Sequence, residues 1–442
     1  IIERYLGNSG KVLFLIFAWA TLVLVIAVFT LVVSATFVRT PAVATASILF
    51  MILAIGFGIA VYRYRVNFIA ASVVGVVLLA AFLYLGVLFP FPRLFEVGAD
   101  GNDPMIFFWQ LVLVVYIFVA SVTPVNILLQ PRDYLNSFLL YGILLLSLVA
   151  LLVAPPMLEG AQFTSFAPQG MGPLFPLLFV TVACGAISGF HSMVASGTTA
   201  KQLDRESDAR AVGYGSMLIE SLLAVLALIT AVMVSKQEYF SLLKTSAAAK
   251  ANPVNVFNHG IASLLSNLSM PEALGIGLAG LAVSAFALTS LDTATRLGRF
   301  TLQELFMKRG VKKGGNIISG NRFVATALTV VVAGLLLVSG KTMTLWRLFG
   351  ASNQLLAALA LMAVTVWLAA KGRKTVYTFV PMVFMFVVTL AALLLQIKGF
   401  VTGGSYVLAA IAVLLFVLAL LLAYNYVRVR KGGVVHENGA AP

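Results

Sequence analysis

Lys11-Val-Leu-Phe-Leu-Ile-Phe-Ala-Trp-Ala-Thr-Leu-Val-Leu-Val-Ile-Ala-Val-Phe-Thr-Leu-Val-Val-Ser-Ala-Thr-Phe37 decides the fold class of this chain. After its opening lysine the stretch holds no charge, and it exceeds the roughly 20 residues a helix needs to cross a bilayer core. Its apolar residues run on without the two-residue alternation of a strand. In hydrocarbon every backbone N–H and C=O must be satisfied within the segment, so a run of this kind is a helix. Working outward, the same pattern returns at 43–62, 67–89, 106–129, 134–154, 174–199, 211–234, 271–295, 322–339, 345–370, 375–396 and 404–427. Thr40-Pro41, Phe89-Pro90, Pro155-Pro156 and Gly403-Gly404 punctuate the ends. The 442 residues are 61% hydrophobic and 10% charged, against about 25% charged in soluble domains. The expected fold is all-α, a polytopic helical membrane protein with about 12 transmembrane spans.

The net charge of +14 sits in short loops between apolar runs, with no aromatic signature of RNA binding, so it reads as topology charge and not as a nucleic-acid surface. With residue 1 inside, 21 of the 29 lysines and arginines fall on the cytoplasmic side and eight on the other, which places both termini in the cytoplasm. Cys184 is the only cysteine, excluding an intrachain disulfide or a cysteine-cluster metal site. No cleavable signal is evident, and the chain opens Ile1-Ile2-Glu3-Arg4 without a methionine, so further residues are expected upstream. In 252–268, Val254, Phe257, Ile261, Leu264, Leu265 and Leu268 recur at helical spacing, an amphipathic helix expected to lie on the outer interface. The basic stretch 296–322 reads as a topology anchor or a contact for anionic lipid heads. The tail from Gly432 reads as disordered.

Function in such a chain is sought where polar residues and helix breakers reach membrane depth. In Ser121-Val-Thr-Pro-Val-Asn-Ile-Leu-Leu-Gln-Pro-Arg-Asp-Tyr134, Pro124 removes a backbone donor inside the fourth span and Pro131 another near its cytoplasmic end. The freed carbonyls, with Thr123, Asn126 and Gln130, suit a solute or cation, although a packed proline kink has the same pattern. Arg132 and Asp133 read as an ion pair or a gate at the inner mouth. Around Cys184-Gly-Ala-Ile-Ser-Gly-Phe-His, the glycines 185, 189 and 197 permit unwinding or close helix packing. Ser188, His191, Ser192, Ser196, Thr198 and Thr199 line that span with oxygens and one imidazole. Asp292 and Arg296, four apart, can pair along one helical face as a structural pair or gate. Glu220 is a candidate proton carrier or a helix-packing group, and Asn353 sits with Gln354 just inside a later span.

Four strings in order resemble the carbon starvation protein A family: Gln130-Pro-Arg-Asp-Tyr-Leu135, Ser188-Gly-Phe-His-Ser-Met-Val-Ala-Ser-Gly-Thr-Thr199, Leu291-Asp-Thr-Ala-Thr-Arg296 and Leu345-Trp-Arg-Leu-Phe-Gly-Ala-Ser-Asn-Gln354. The resemblance runs from residue 1 to about 370. It implies a prokaryotic inner-membrane importer of pyruvate or short peptides, related to the amino acid–polyamine–organocation superfamily. The implied fold is an inverted five-helix repeat lacking the first helices of repeat one. Residues 1–105 would complete the first repeat, 106–300 form the second, and 301–442 add four C-terminal spans and a cytoplasmic tail. The segment 124–131 would be a discontinuous helix, and Ser196 and Thr199 would fall where sodium-coupled relatives place hydroxyl ligands. Members carry an upstream Gly-rich segment with paired histidines, expected to form half of the substrate site.

The functional expectation is secondary active import of a small polar solute. Thr123, Asn126, Gln130, Ser188, His191, Ser192 and Asn353 would bind it, and His191, Ser196, Thr198, Thr199 and Glu220 would couple its movement to protons or sodium. A channel or receptor is the second class. An intramembrane enzyme is the third, disfavoured by the lack of a His-Glu-x-x-His or a paired-aspartate motif. The partners expected are lipid and a small-molecule solute; no cofactor or metal is expected, and the oligomeric state is open.

Overall fold

The computed structural model describes residues 2–96, 103–158, 160, 165–167, 173–243, 253–307, 316–338 and 342–431. The tail from Gly432 and residues 308–315 of the basic stretch lie outside them. The described residues contain no strand, and eleven helices among them are long and apolar enough to cross a membrane. In order, spans 1–5 are Ile2–Arg39, Pro41–Arg63, Phe68–Leu88, Pro104–Val122 and Leu129–Val153. Spans 6–8 are Leu174–Lys201, Asp208–Val232 and Glu272–Leu305. The expected ninth span, Arg322–Val338, is a shorter apolar helix of 17 residues outside those eleven, about 26 Å long at 1.5 Å per residue, and is numbered span 9 by its place in the chain. Spans 10–12 are Thr342–Ala370, Val376–Thr402 and Tyr406–Lys431. The protein is thus a polytopic all-helical membrane protein.

Spans 1 and 8 form the centre. The protein buries 61% and 67% of their apolar windows, against 17% for span 3 and 11% for span 7. Span 1 follows span 8 for much of its length, flanked by spans 4, 9 and 10. Span 8 approaches span 9 closely where it carries a small residue. A Cβ on Gly298 of span 8 would stand 2.9 Å from Thr329 Cγ2 of span 9 and 4.0 Å from Leu22 Cβ of span 1. Spans 3 and 7 instead turn Val73, Val77, Val225 and Leu228 outward, as lipid-facing helices do.

Two expectations are corrected. Span 4 ends at Val122, and Pro124 lies in the connection to span 5, not inside a helix. Proline disfavours the helical region for the residue before it, and Thr123 is extended at φ −75, ψ 144. Pro131 sits in the first turn of span 5, where no intrahelical N–H bond is lost. Residues 124–131 are therefore a loop between two spans and a helix start, not one discontinuous helix. The second correction concerns Pro253–Ser266, which is a helix but packs against spans 5, 7 and 8. Its burial takes in Asn258 as well as Ile261, Leu264 and Leu265. The apolar stripe that the sequence displays meets protein, which periodicity alone does not distinguish from lipid.

Candidate functional site

Span 6 is interrupted at its middle. The helix Phe179–Val182 tightens into a single 3₁₀ turn over Ala183–Gly185, the chain leaves helical geometry at 187–188, and a new helix runs over Gly189–Gly197. Ser188, extended at φ −143 and ψ 130, caps that second helix by accepting from His191 N at 3.4 Å. Fully buried Asn353 of span 10 holds both sides of the break. Its Oδ1 accepts from Phe190 N at 2.7 Å, and its Nδ2 donates to Ser188 Oγ at 3.1 Å and to Cys184 Sγ at 3.4 Å. Gly189 makes this approach possible, since a Cβ there would stand 2.4 Å from both Asn353 O and Leu356 Cβ.

Span 7 brings Glu220 to the same place. Its carboxylate lies 3.9 Å from where a Cβ on Gly185 would stand, and it interacts electrostatically with His191, which is exposed at the break. Gln354, next to Asn353, is fully buried with neither amide atom hydrogen-bonded. Below the break, Ser192 Oγ donates to Gly189 O at 2.6 Å and Ser196 Oγ to Ser192 O at 2.9 Å. These hydroxyl protons are used while the oxygen lone pairs stay available. Thr198 ends the helix at φ −129, ψ −60, and Thr199 opens a 3₁₀ turn.

Ser188, His191, Glu220 and Asn353 are thus brought together from spans 6, 7 and 10, with Ser192, Ser196, Thr198 and Thr199 along the second half-helix. Thr123, Asn126 and Gln130 lie apart, at the junction of spans 4 and 5. Thr123 Oγ1 donates to Val119 O at 2.7 Å, Gln130 Oε1 faces Tyr62 OH at 3.5 Å, and Asn126 is exposed in the turn. The approach of Glu220, in a different span, to Gly185 at the break had no signal in the sequence.

Asn353→Leu is expected to leave Phe190 N–H and Ser188 without their partner inside the bundle, at a cost of about 1–3 kcal/mol. Thermal unfolding of the detergent-solubilised protein reads this as a lower midpoint; an unchanged midpoint would contradict the bridging role.

A second polar group lies where spans 4, 5 and 8 meet. Arg132 of span 5 and Asp292 of span 8 are both fully buried, with Arg132 Nη1 2.5 Å from Asp292 Oδ2. Tyr116 OH of span 4 accepts from Arg132 and donates to Asp292, at 2.5 Å each. Asp133 Oδ1 stands 3.5 Å from Arg132 Nη2, so the sequence neighbour is the lesser partner. The expected Asp292–Arg296 pair does not form. Arg296 Nη2 instead donates to Ala120 O and Thr123 O at 2.8 and 2.7 Å, and Arg299 Nη1 to Ser121 O at 2.6 Å. The last carbonyls of a helix have no intrahelical donor and carry the negative end of its dipole. Two arginines satisfying them outweigh an i,i+4 pair worth about 0.3–0.5 kcal/mol.

Residues 1–251 and 241–392 match the family described as carbon starvation protein CstA. A Campylobacter jejuni protein named peptide transporter CstA is 35% identical over 394 residues, covering 76% of this chain and 55% of that relative. An Escherichia coli K12 protein named pyruvate/proton symporter BtsT is 33% identical over 402 residues, covering 74% and 55%. The chain spans about half the length of these curated relatives. A crystal structure of an Eremococcus coleocola manganese transporter, 16% identical, aligns over 97% of this chain and 95% of that one with a TM-score of 0.46. Matched over most of its length, the chain belongs to the carbon starvation protein CstA family.

Proposed function

We propose that this chain forms the membrane core of a secondary active transporter that imports a small polar solute, pyruvate or a short peptide, across the cytoplasmic membrane of a prokaryote. The observation that carries the reading is the interruption of span 6. It gathers Ser188, His191, Glu220 and Asn353 at membrane depth, where unpaired polar groups are too costly to persist without a role. Interrupted helices at the midplane suit alternating access better than an open pore. The names of the relatives, a peptide transporter and a pyruvate/proton symporter, support the same class. Spans 1–3 as the end of a first inverted repeat and spans 4–8 as the second belong to this proposal. The coupling ion is taken as the proton, carried by His191 with Glu220, because Ser196, Thr198 and Thr199 offer oxygens without an acidic neighbour in sequence to offset a sodium charge. Counterflow in proteoliposomes with labelled pyruvate against a panel of short peptides tests the class. Saturable exchange of one of them is the expected result, and non-saturating flux would mean a channel.

The orientation is part of the proposal. In a Cys184→Ser background, a cysteine at exposed Ser269, between spans 7 and 8, is expected to react with an impermeant thiol reagent from outside intact cells. A cysteine at exposed Ser207, between spans 6 and 7, is expected to react only after permeabilisation. The reverse pattern would invert the topology.

A further inference from the structure

Spans 3 and 5 leave an open groove at one end of the bundle. Ile69, Val73, Val76 and Val77 of span 3 face Tyr134 and Phe138 of span 5 across about 390 Å³. Its hydroxyls satisfy each other: Ser72 Oγ lies 2.8 Å from Tyr134 OH and donates to Phe68 O at 2.7 Å. Tyr134 is held in place, stacked on Phe57 at 5.6 Å and tilted against Phe68 at 5.0 Å. The groove therefore offers a firm apolar wall with no polar group left to recognise a polar ligand.

Its mouth is different in kind. Tyr62-Arg63-Tyr64-Arg65 is exposed throughout and ends three residues before Phe68. Among the described residues neither arginine is ion-paired. Asn67 Oδ1 accepts from Ile69 N and Ala70 N, which closes the first turn of span 3 and ties the basic strip to the groove. Tyrosines at this depth are the residues of a membrane interface, and guanidinium forks match phosphate oxygens. An apolar slot continued by two unpaired cations has the outline of one lipid chain and its charged head.

We propose that this groove is a binding site for an anionic phospholipid, with an acyl chain between spans 3 and 5 and the phosphate held by Arg63 and Arg65. Zwitterionic lipids carry no net charge for the pair to select, whereas basic residues at a membrane surface favour anionic lipids.

The test uses the full chain in proteoliposomes containing a trace of phosphatidylglycerol, or of phosphatidylcholine, with the same photoreactive acyl chain. Cross-linked peptides are then mapped. Cross-links within 68–77 or 134–138 are expected, stronger for phosphatidylglycerol. Their yield is expected to fall about fivefold for each arginine removed in Arg63→Ala and Arg65→Ala, with phosphatidylcholine unchanged. Val73→Trp, which fills a lipid-facing groove and leaves the arginines in place, is expected to lower both yields. Equal yields for the two lipids, or no response to the arginine variants, would overturn the proposal. Peptide cross-links between two copies of the chain at this groove would also overturn it, in favour of self-association.

Discussion

Arg132→Ala is expected to destabilise the protein by about 3–5 kcal/mol, among the largest losses any single substitution in this chain would cause. The guanidinium is fully buried, and its Nη1 meets both the Asp292 carboxylate and the Tyr116 hydroxyl at 2.5 Å. Without it, Asp292 keeps one hydrogen bond from Tyr116 and no countercharge among its neighbours at contact distance, while its Oδ1 is already without a partner. A carboxylate stranded in this way is far costlier than the pair was stabilising, because desolvation is no longer offset. Thermal unfolding in detergent should show a sharp fall in the midpoint. The double variant Arg132→Met with Asp292→Leu removes both charges and is expected to recover most of the loss, since apolar replacement of a buried pair is often close to neutral. A single variant that unfolds like the parent would mean that the pair is hydrated and not buried.

His191→Ala is expected to retain solute exchange and lose concentrative uptake. An anionic solute entering against a negative-inside potential is opposed by roughly 2.3 kcal/mol per charge at 100 mV, which corresponds to about fiftyfold in its equilibrium distribution. One accompanying proton cancels that term. An imidazole can take up and return a proton, and His191 is exposed at the break of span 6. Proteoliposomes with an imposed potential should therefore show an accumulation ratio about fiftyfold lower for the variant than for the parent if the solute is a monoanion. Uptake that still follows a pH gradient at the parental rate would remove His191 from coupling. Strict dependence on sodium would move it to Ser196 and Thr199.

The helices were legible because lipid imposes a one-dimensional rule: each uninterrupted apolar run of sufficient length becomes a span. Span 8 follows it, and the helix Pro253–Ser266 was legible from its helical spacing instead, but the partners of both did not show. The break in span 6 was legible in part: glycines 185 and 189 coincide with Ser188 and His191 in one stretch, but the interruption precedes Gly189, and Gly189–Gly197, where unwinding was expected, is a continuous helix. The charge pairing was not legible. Asp292 and Arg296 sit at ideal spacing in sequence, yet Asp292 pairs with Arg132, 160 positions away. Arg296 caps a helix whose end could be located only once Pro124 was known to lie in a loop. Spacing along a chain reports contacts within one helix, whereas the strongest buried contacts here join different helices.

Cys184 offers a direct test of the central claim, that the break in span 6 lies on the solute path. Its Sγ stands 3.4 Å from Asn353 Nδ2 within the cluster, and it is the sole cysteine, so the unmodified sequence carries its own reporter. The measurement is the rate at which a small thiol reagent labels Cys184 in transport-active proteoliposomes, with and without the solute that counterflow selects. The expected result is labelling slowed by saturating solute, with the concentration for half-protection matching that for half-maximal transport. Labelling at the same rate with and without saturating solute, while transport proceeds, would place the path elsewhere in the bundle.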